Sequence, residues 1–391
     1  MKKVIIGIPS LVSGGVEVSL VRFINELSKN KNIDITLLLL HKEGIYLDSI
    51  PKKVKIKTVT YVDEMYDYRK KFSDIKNISG IKRKLLFFKY RNKLRSYLKN
   101  NDFENYYKLI LSKVNKIEGK YDVAIDWHGY GHFITSVVSE LVNSSKKAMW
   151  IHDEKNEWLS KVDFCIGKFD KIFCVSNACI NNIKKRRNDL DDKIEIFYNM
   201  ADYENVRKKS LERIDFKYDK NKLNIITVGR LEWQKAYDVA IDIAVKLNEK
   251  NIDFCWYVIG GGSKKEEITE LIQKNNLEEK FKLLGIISNP FPYVKNADMY
   301  VLCSRHEGYC LATLEAKILG KVIVATDIDS NREQIVDGEN GILCELDAEV
   351  FANKIIEVYE NKNMMKKLES NLEKENFDYS GEFEKLYKLL K

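Results

Sequence analysis

The sequence has little of what would set it outside the ordinary globular class. No apolar run approaches the ~20 residues of a bilayer-spanning helix, which excludes a transmembrane reading of the chain. Seven cysteines occur without a C-x2-C pair, and five histidines without ligand spacing, which argues against a zinc-bound fold. No short-period repeat is present, so a solenoid is excluded, and no nucleic-acid-binding motif is found. From Ile75 to Asn101 there is no acidic residue. The chain is otherwise well supplied: 391 residues, 45% hydrophobic, 32% charged and net +8, long enough for two globular domains rather than a disordered segment. Cys174, Cys255, Cys303 and Cys344 lie in apolar runs, as expected of reduced core thiols in a cytoplasmic protein. Met1–Pro9 is too short for a secretion leader and reads as a strand, Val4–Ile8.

Short apolar runs alternate with longer helical patterns, which predicts parallel sheets with crossover helices, an α/β fold. The predicted strands are Val4–Ile8, Ile33–Leu40, Val123–Asp126, Ala148–Ile151, Ile172–Val175 and Ile194–Tyr198, then Asn224–Val228, Phe254–Ile259, Phe281–Leu284, Met299–Cys303, Val322–Ala325 and Gly341–Cys344. The polar segment Ala201–Lys222 separates the two sets and is the expected hinge. This divides the chain into an N-terminal domain, 1–205, a C-terminal domain, 206–375, and a final helix, 376–391, expected to pack back on the first domain. Two doubly wound domains would present their strand carboxyl ends to a shared cleft.

The richest stretch is Ser304–Ala316, with Glu307 and Glu315 eight positions apart. Glu307 falls in a strand-to-helix loop, and Glu315 about one turn inside a helix starting near Leu311. The first amides of that helix, at Leu311 and Ala312, form an anion site between the carboxylates. A sugar joined to a nucleoside by a diphosphate fits that pattern. The spacing alone equally fits a loop glutamate and a solvated helix glutamate. Arg230 and Lys235, in Val228–Lys235, stand over the edge of another strand, either as diphosphate-neutralising cations or as solvated ones. Ile259–Ser263 is a glycine turn without the full G-x-G-x-x-G pattern, and Pro9–Glu17 holds Gly14-Gly15 between strand and helix. His152, in Met149–Glu154, is either a cleft residue or a structural histidine, and Asp126-Trp-His128-Gly129, after another strand, is a candidate for lining the acceptor side.

Taken together and in order, these segments resemble the family 4 retaining glycosyltransferases, from Gly14-Gly15 to Gly341, with Tyr61–Lys120 outside the likeness. The matching elements are the G-G-x-E loop, the W-I-H segment, G-R-L-x-x-x-K-G, a Gly-x-Gly loop and E-x7-E. Ala236 replaces the last glycine of the third, and Asp329-Ser-Asn331 stands where glycines are usual. The resemblance implies a GT-B fold, two Rossmann-like domains facing across a cleft. It implies a retaining, metal-independent enzyme that moves a sugar from a nucleotide-diphosphate donor, a UDP-sugar, to a glycan or lipid-linked glycan in bacterial surface polysaccharide assembly. The implied catalytic set is Arg230, Lys235, Glu307 and His152. The implied donor set is Gly14, Gly15, Gly229, Gly260, Gly262, Gly285, Gly308, Tyr309, Cys310, Leu311, Ala312 and Glu315. No cofactor or metal is expected, and Asp327-Ile-Asp329 is read as no metal motif because Arg230 and Lys235 supply the positive charge. A nucleotide-sugar isomerase or phosphorylase on the same fold is the enzymatic alternative, and a nonenzymatic basic membrane- or nucleic-acid-binding protein the other.

The insertion is distinctive in its own right. Lys82, Arg83, Lys84, Lys89, Arg91, Lys93, Arg95 and Lys99 share helical spacing with Ile81, Leu85, Phe88, Leu86, Tyr90, Leu94, Tyr97 and Leu98. Such a helix either lies on an anionic membrane through 75–101, making the protein peripheral on the inner face of the cell membrane, or packs on its own domain with a solvated basic face.

Overall fold

The computed structural model describes every residue except Ser13, which lies inside the expected Gly-Gly loop segment, and Asn156. It divides into two compact units. The first comprises Met1–Val175, Cys179–Tyr198 and Ser380–Lys391, the second Ser176–Ala178 and Asn199–Tyr379.

The first unit is a seven-stranded sheet built from β1 (Lys2–Ile8), β2 (Ile33–Leu39), β3 (Lys55–Thr58), β4 (Tyr121–Asp126), β5 (Ser144–Ile151), β6 (Lys171–Cys174) and β7 (Ile194–Ile196). Their order is β3-β2-β1-β4-β5-β6-β7, and every neighbouring pair is parallel. The second is six-stranded: β8 (Leu223–Val228), β9 (Phe254–Ile259), β10 (Phe281–Gly285), β11 (Met299–Leu302), β12 (Val322–Thr326) and β13 (Ile342–Cys344), ordered β10-β9-β8-β11-β12-β13, again all parallel. Each sheet's order reverses beside its first strand, so both units are doubly wound.

All the strands read from apolar runs form. The one missed, β3, is a half-exposed edge strand with the sequence Lys-Ile-Lys-Thr, whose lysines give no apolar run. Strands covered on both faces must be apolar on both faces, and β8–β12 show why. Ile225, Trp256, Val258, Val301 and Val324 belong to one core, while Ile226, Tyr257, Ile259, Tyr300 and Ile323 belong to the core on the other side. The expected hinge segment, Ala201–Lys222, lies within the second unit. Tyr203–Lys209 is helical, and Ile214, Phe216 and Tyr218 pack on the second unit's core, with Phe216 stacked 5.0 Å from Tyr257.

The first unit's core is aromatic: Trp127 stacks on Trp150 at 4.8 Å, and Phe173, Phe197 and Phe23 surround Trp150. Its helix α1 (Gly15–Leu27) carries Phe23, on which Phe383 of the terminal helix Ser380–Leu390 stacks at 5.5 Å. Glu382 accepts from the Tyr198 amide at 3.1 Å, fixing the returning helix at the sheet's β7 edge.

The insertion folds as α2 (Ile81–Lys99) followed by α3 (Phe103–Leu111). The single apolar side read from sequence is resolved into two. Phe87, Tyr90 and Leu94 face inward, and Phe87 packs with Met65 and Ile78. Ile81, Leu85 and Phe88, on the opposite face, are exposed by 81, 65 and 50%. Arg83 is tied through two 2.7 Å bonds to Asp63, so the first turn of α2 is fixed to the segment after β3. Among the described residues, no helix is long and apolar enough to cross a membrane.

Candidate functional site

In the second unit the predicted residues gather on the loops after β8, β9, β10 and β11, where a doubly wound sheet binds ligands. The loop after β8 begins at Gly229, passes through a 3-10 turn at Trp233–Lys235, and enters the helix Tyr237–Glu249 through Ala236. Ala236 is fully buried and left-handed, φ 48° and ψ 45°. The family glycine therefore has a conformational reason, and alanine adopts the same geometry here.

The glycines of the next loop have a packing reason too. A Cβ on Gly260 would sit 1.9 Å from the Gly229 carbonyl oxygen, and one on Gly262 2.3 Å from that of Leu231. Leu231 donates its amide to Gly261 (2.9 Å) and accepts from Lys264 (2.9 Å), while Gly260 donates to Gly285 (2.8 Å). Three loops are thereby sewn together through backbone, and Gly229, Gly260, Gly262 and Gly285 are brought to one sheet edge.

The charged centre lies between the β8 and β11 loops. Lys235 Nζ is 2.5 Å from Glu307 Oε1 and 3.7 Å from Cys310 Sγ. Ser304 Oγ donates to the same glutamate oxygen at 2.5 Å. The lysine and glutamate side chains are only 10 and 7% exposed. Burial pulls the Lys235 ammonium pKa down, but the neighbouring Cys310 and Glu307 outweigh it and hold it above the ordinary lysine value. Arg230 is exposed on the same loop and donates to Gln234 Oε1 at 3.3 Å.

Residues that carry no strong sequence signal of their own lock these loops together. Gln234 donates to the His306 carbonyl (2.9 Å) and accepts from the Arg305 amide (2.8 Å) through its own carbonyl. Arg305 reaches both oxygens of Asp238, at 3.0 and 2.5 Å, donates to the Trp233 carbonyl at 2.7 Å, and lies 4.7 Å over the Trp233 ring. The only sequence signal for this clamp is that Arg305 sits two residues before Glu307, beside the E-x7-E pair.

Cys310 caps the helix Leu311–Ile318, whose first residues are Leu311 and Ala312 and whose buried face carries Glu315. Gly308 and Tyr309 lead into it, and the Tyr309 carbonyl accepts from Asn199 at 3.4 Å. Gln334, with its amide oriented as its surroundings require, accepts from the Cys310 amide (2.9 Å) and donates to the Cys310 carbonyl (3.2 Å). Nearby, Arg332 covers both oxygens of Asp327, at 2.6 and 3.0 Å, and also reaches Asp329 at 3.2 Å. The guanidinium holds the Asp327 carboxyl below the usual carboxylate range. That pair of aspartates is thus engaged by an arginine.

In the first unit, Gly14 caps α1 and Gly15 opens it. A Cβ on Gly14 would stand 2.6 Å from Glu17 Oε2, whereas one on Gly15 meets nothing within 4 Å. His152, just past β5, is buried, and its Nε2–H donates to the Trp127 carbonyl at 2.7 Å. Burial depresses its pKa to about 4, so the ring is neutral with Nδ1 as a lone-pair acceptor. Asp126 ends β4, fully buried, and accepts from Thr135 Oγ1 (2.6 Å) and the His128 amide (3.2 Å). Burial raises its pKa to about 6.

Comparison with known proteins places this geometry. Residues 208–375 match the family described as Glycosyl transferases group 1. The chain is 31% identical over 223 residues to the N-acetylgalactosamine-N,N'-diacetylbacillosaminyl-diphospho-undecaprenol 4-alpha-N-acetylgalactosaminyltransferase of Campylobacter jejuni, covering 56% of this chain and 59% of that protein. It is 30% identical over 124 residues to the 2-deoxystreptamine N-acetyl-D-glucosaminyltransferase of Niallia circulans, covering 31 and 32%. The chain spans between 53 and 59% of the first two curated relatives it matches. Among solved structures, a mutant of S. aureus TarM in complex with Fondaparinux, alpha-GlcNAc-glycerol and UDP superposes with a TM-score of 0.70 over 100% of both chains at 16% identity. Anabaena Alr3699/HepE in complex with UDP-glucose gives 0.71 at 14% identity, over 100% of this chain and 99% of that one. The two parallel sheets with their helices and these full-length likenesses make the fold GT-B.

Proposed function

Since residues 208–375 are a glycosyl transferases group 1 domain, we propose that the protein is a retaining, metal-independent glycosyltransferase. It takes a sugar from a UDP-sugar or similar nucleotide-diphosphate donor and delivers it to a glycan or lipid-linked glycan, of the kind used in bacterial surface polysaccharides. The observation that carries this reading is the buried Lys235–Glu307 pair beside the Cys310-capped helix start, with Arg230 exposed on the same loop. The UDP complexes of the two structural neighbours support the donor class, and the C. jejuni relative's diphospho-undecaprenol acceptor supports the lipid-linked one.

In this reading Arg230, Lys235 and the amides of Leu311 and Ala312 receive the negative charge that grows on the departing diphosphate. A preorganised cationic site of low effective dielectric stabilises that charge best. Glu307 orients Lys235 and meets the sugar hydroxyls, and Glu315 takes the ribose diol, so its loss affects donor affinity more than turnover. Gly14 and Gly15 are assigned to the donor sugar, and His152 is assigned as a further catalytic residue. The acceptor attacks on the face the diphosphate leaves, and a phosphate oxygen takes its proton, so positioning does most of the catalysis. The Arg332–Asp327 pairing supports a metal-free site. The protein works on the cytoplasmic side, meeting an anionic membrane through 75–101.

The test is a panel of nucleotide sugars offered with and without glycan and lipid-linked acceptors, scored for nucleotide diphosphate release in chelator. One donor should be consumed, faster with acceptor. Release of a sugar phosphate only with free phosphate would instead make it a phosphorylase, and rearrangement without release an isomerase. Loss of activity in chelator, restored by magnesium or manganese, would reverse the metal-free assignment.

A further inference from the structure

The loop after β4 alternates rings and glycines: His128-Gly129-Tyr130-Gly131-His132. Both glycines are left-handed, each with φ +61°, a conformation other residues adopt only with strain. They are also pressed against backbone. A Cβ on Gly129 would lie 1.6 Å from the Trp150 carbonyl oxygen, and one on Gly131 2.7 Å from that of Trp158. Buried Asp126 holds the loop's entry through the His128 amide, and Tyr107 Oη donates to the Gly131 carbonyl at 2.8 Å. The loop is therefore pinned at both ends, and its three rings stand on a fixed backbone.

Those rings touch one another edge to face. His128 lies 5.1 Å from Tyr130 and 4.5 Å from His132, while Tyr130 lies 6.1 Å from Trp158. His128 and Tyr130 are half-buried, and His132 is exposed. A structural loop has no need for a row of partly exposed rings on left-handed glycines. Two polar atoms add direction. The Nδ1 atoms of His128 and His152 are buried without a hydrogen-bond partner among the described residues. Because His152 donates through Nε2, its Nδ1 is an acceptor in want of a donor. Burial also keeps the His128 ring neutral, its pKa well below the ordinary value. The His128 ring itself carries no charge, and Lys161 is the cation that acts on His132. Ring faces that prefer C–H contacts, next to neutral imidazole nitrogens without a hydrogen-bond partner, match the two surfaces of a pyranose.

We propose that His128, Tyr130 and His132 form a sugar-binding tray for the acceptor, with the Nδ1 atoms of His128 and His152 hydrogen-bonded to its hydroxyls. The inference rests on the glycosyltransferase reading and adds to it the residues that select an uncharged sugar ring.

The full chain, with 13C,15N-labelled histidine and no donor present, is titrated with methyl glycosides of glucose, galactose, mannose and N-acetylgalactosamine. At least one glycoside should shift the ring nitrogens of His128 and His152. The exposed His132→Ala variant, which does not threaten the fold, and His128→Ala should weaken that response and raise acceptor KM about tenfold or more. Donor KM and acceptor-independent donor hydrolysis should stay as in the wild type. If donor binds and is hydrolysed but no glycoside moves these rings, or both variants keep wild-type acceptor KM, the tray is overturned and the transferase reading stands. If glycosides shift the rings while no nucleotide sugar is bound or consumed, the tray stands and the transferase reading falls.

Discussion

The two units shape their binding edges by different means. In the second, loops are tied by charged and amide side chains reaching between strands: Lys235 to Glu307, Arg305 to Asp238, Gln234 to His306. In the first, the loop after β4 is tied by backbone, with two glycines against carbonyls and a buried aspartate accepting the loop's own amide. A lattice of fixed charge suits a ligand that brings and releases charge. A pinned loop of neutral rings suits one that brings none. Under the proposed function, the first would hold a leaving group and the second would select an acceptor.

The sharpest way to break that comparison is Lys235→Ala. It leaves Glu307 buried without its cation, which should cost about 3–5 kcal/mol of stability. It should also lower turnover at saturating donor at least about tenfold, roughly 1.4 kcal/mol of transition-state energy. Arg230→Ala should lower turnover comparably while leaving stability within about 0.5 kcal/mol, because Arg230 is exposed. Adding Glu307→Gln to Lys235→Met should recover stability but not turnover. Denaturant titration alongside kcat separates the two effects, and near-normal turnover in both single variants would remove these cations from the chemistry.

A second contrast lies within α2. Its inward residues Phe87, Tyr90 and Leu94 are core, while Ile81, Leu85 and Phe88 are exposed beside Lys82, Lys84 and Lys89. Changing those three lysines to glutamate should weaken binding to phosphatidylserine vesicles roughly a hundredfold, at about 1 kcal/mol per cation. Changing Ile81, Leu85 and Phe88 to serine should also weaken it, while the binding that remains keeps its salt dependence. Arg83 is a poor choice for reversal, since its pairing with Asp63 would be broken as well. Wild-type protein that ignores such vesicles at low salt would mean that the outward stripe serves something other than an anionic bilayer.

Legibility follows the same division. Strands buried on both faces stand in the sequence as apolar runs, and only β3, with lysines on a half-exposed edge, does not. The carboxylates and cations of the second unit stand out because E-x7-E and G-R-L-x-x-x-K are dense in charge. Their partners do not: Gln234, Ser304 and Arg305 are ordinary residues whose role comes from loops meeting across a sheet order that non-adjacent strands create. Tyr130 and His132 are illegible for a related reason. The two left-handed glycines that flank Tyr130 are visible as positive φ only in the fold.

The buried pair at the first unit's edge gives opposing pH slopes. The folded Asp126 carboxyl titrates at about 6, above its usual 3.8, so folding favours its protonated form. Its contribution is full below the unfolded value and is lost as pH rises toward 6. The folded His152 titrates at about 4, below its usual 6.5, so its contribution is full above the unfolded value and is lost as pH falls toward 4. The two oppose each other between about pH 4 and 6, each worth on the order of 2–3 kcal/mol. Asp126→Asn should therefore make stability rise more steeply with pH across that window, and His152→Gln should make it rise less or fall. Urea midpoints at about pH 4.5, 5.5 and 6.5 read both slopes. Unchanged slopes in both variants would mean that water reaches these groups and burial does not govern their titration.

The smallest effect belongs to Ala236, where the family's glycine is replaced. Three contributions nearly cancel in Ala236→Gly. A left-handed alanine is strained by about 1–2 kcal/mol, which glycine relieves. Glycine gives back about 0.4–1 kcal/mol through the greater freedom of the unfolded chain. It also loses one fully buried methyl group, about 0.8 kcal/mol. The expected change in stability is within about 1 kcal/mol of zero, with turnover unchanged, since Lys235 keeps its place on the same backbone. Ala236→Val is the contrasting variant, because a β-branched side chain fits the left-handed region far worse and should lose stability well beyond that margin. Denaturant midpoints for the two variants decide the matter. A glycine variant as damaged as the valine one would mean that the methyl group, packed in the core below the loop, holds the Arg230–Lys235 segment in place, and that the backbone conformation at 236 is secondary.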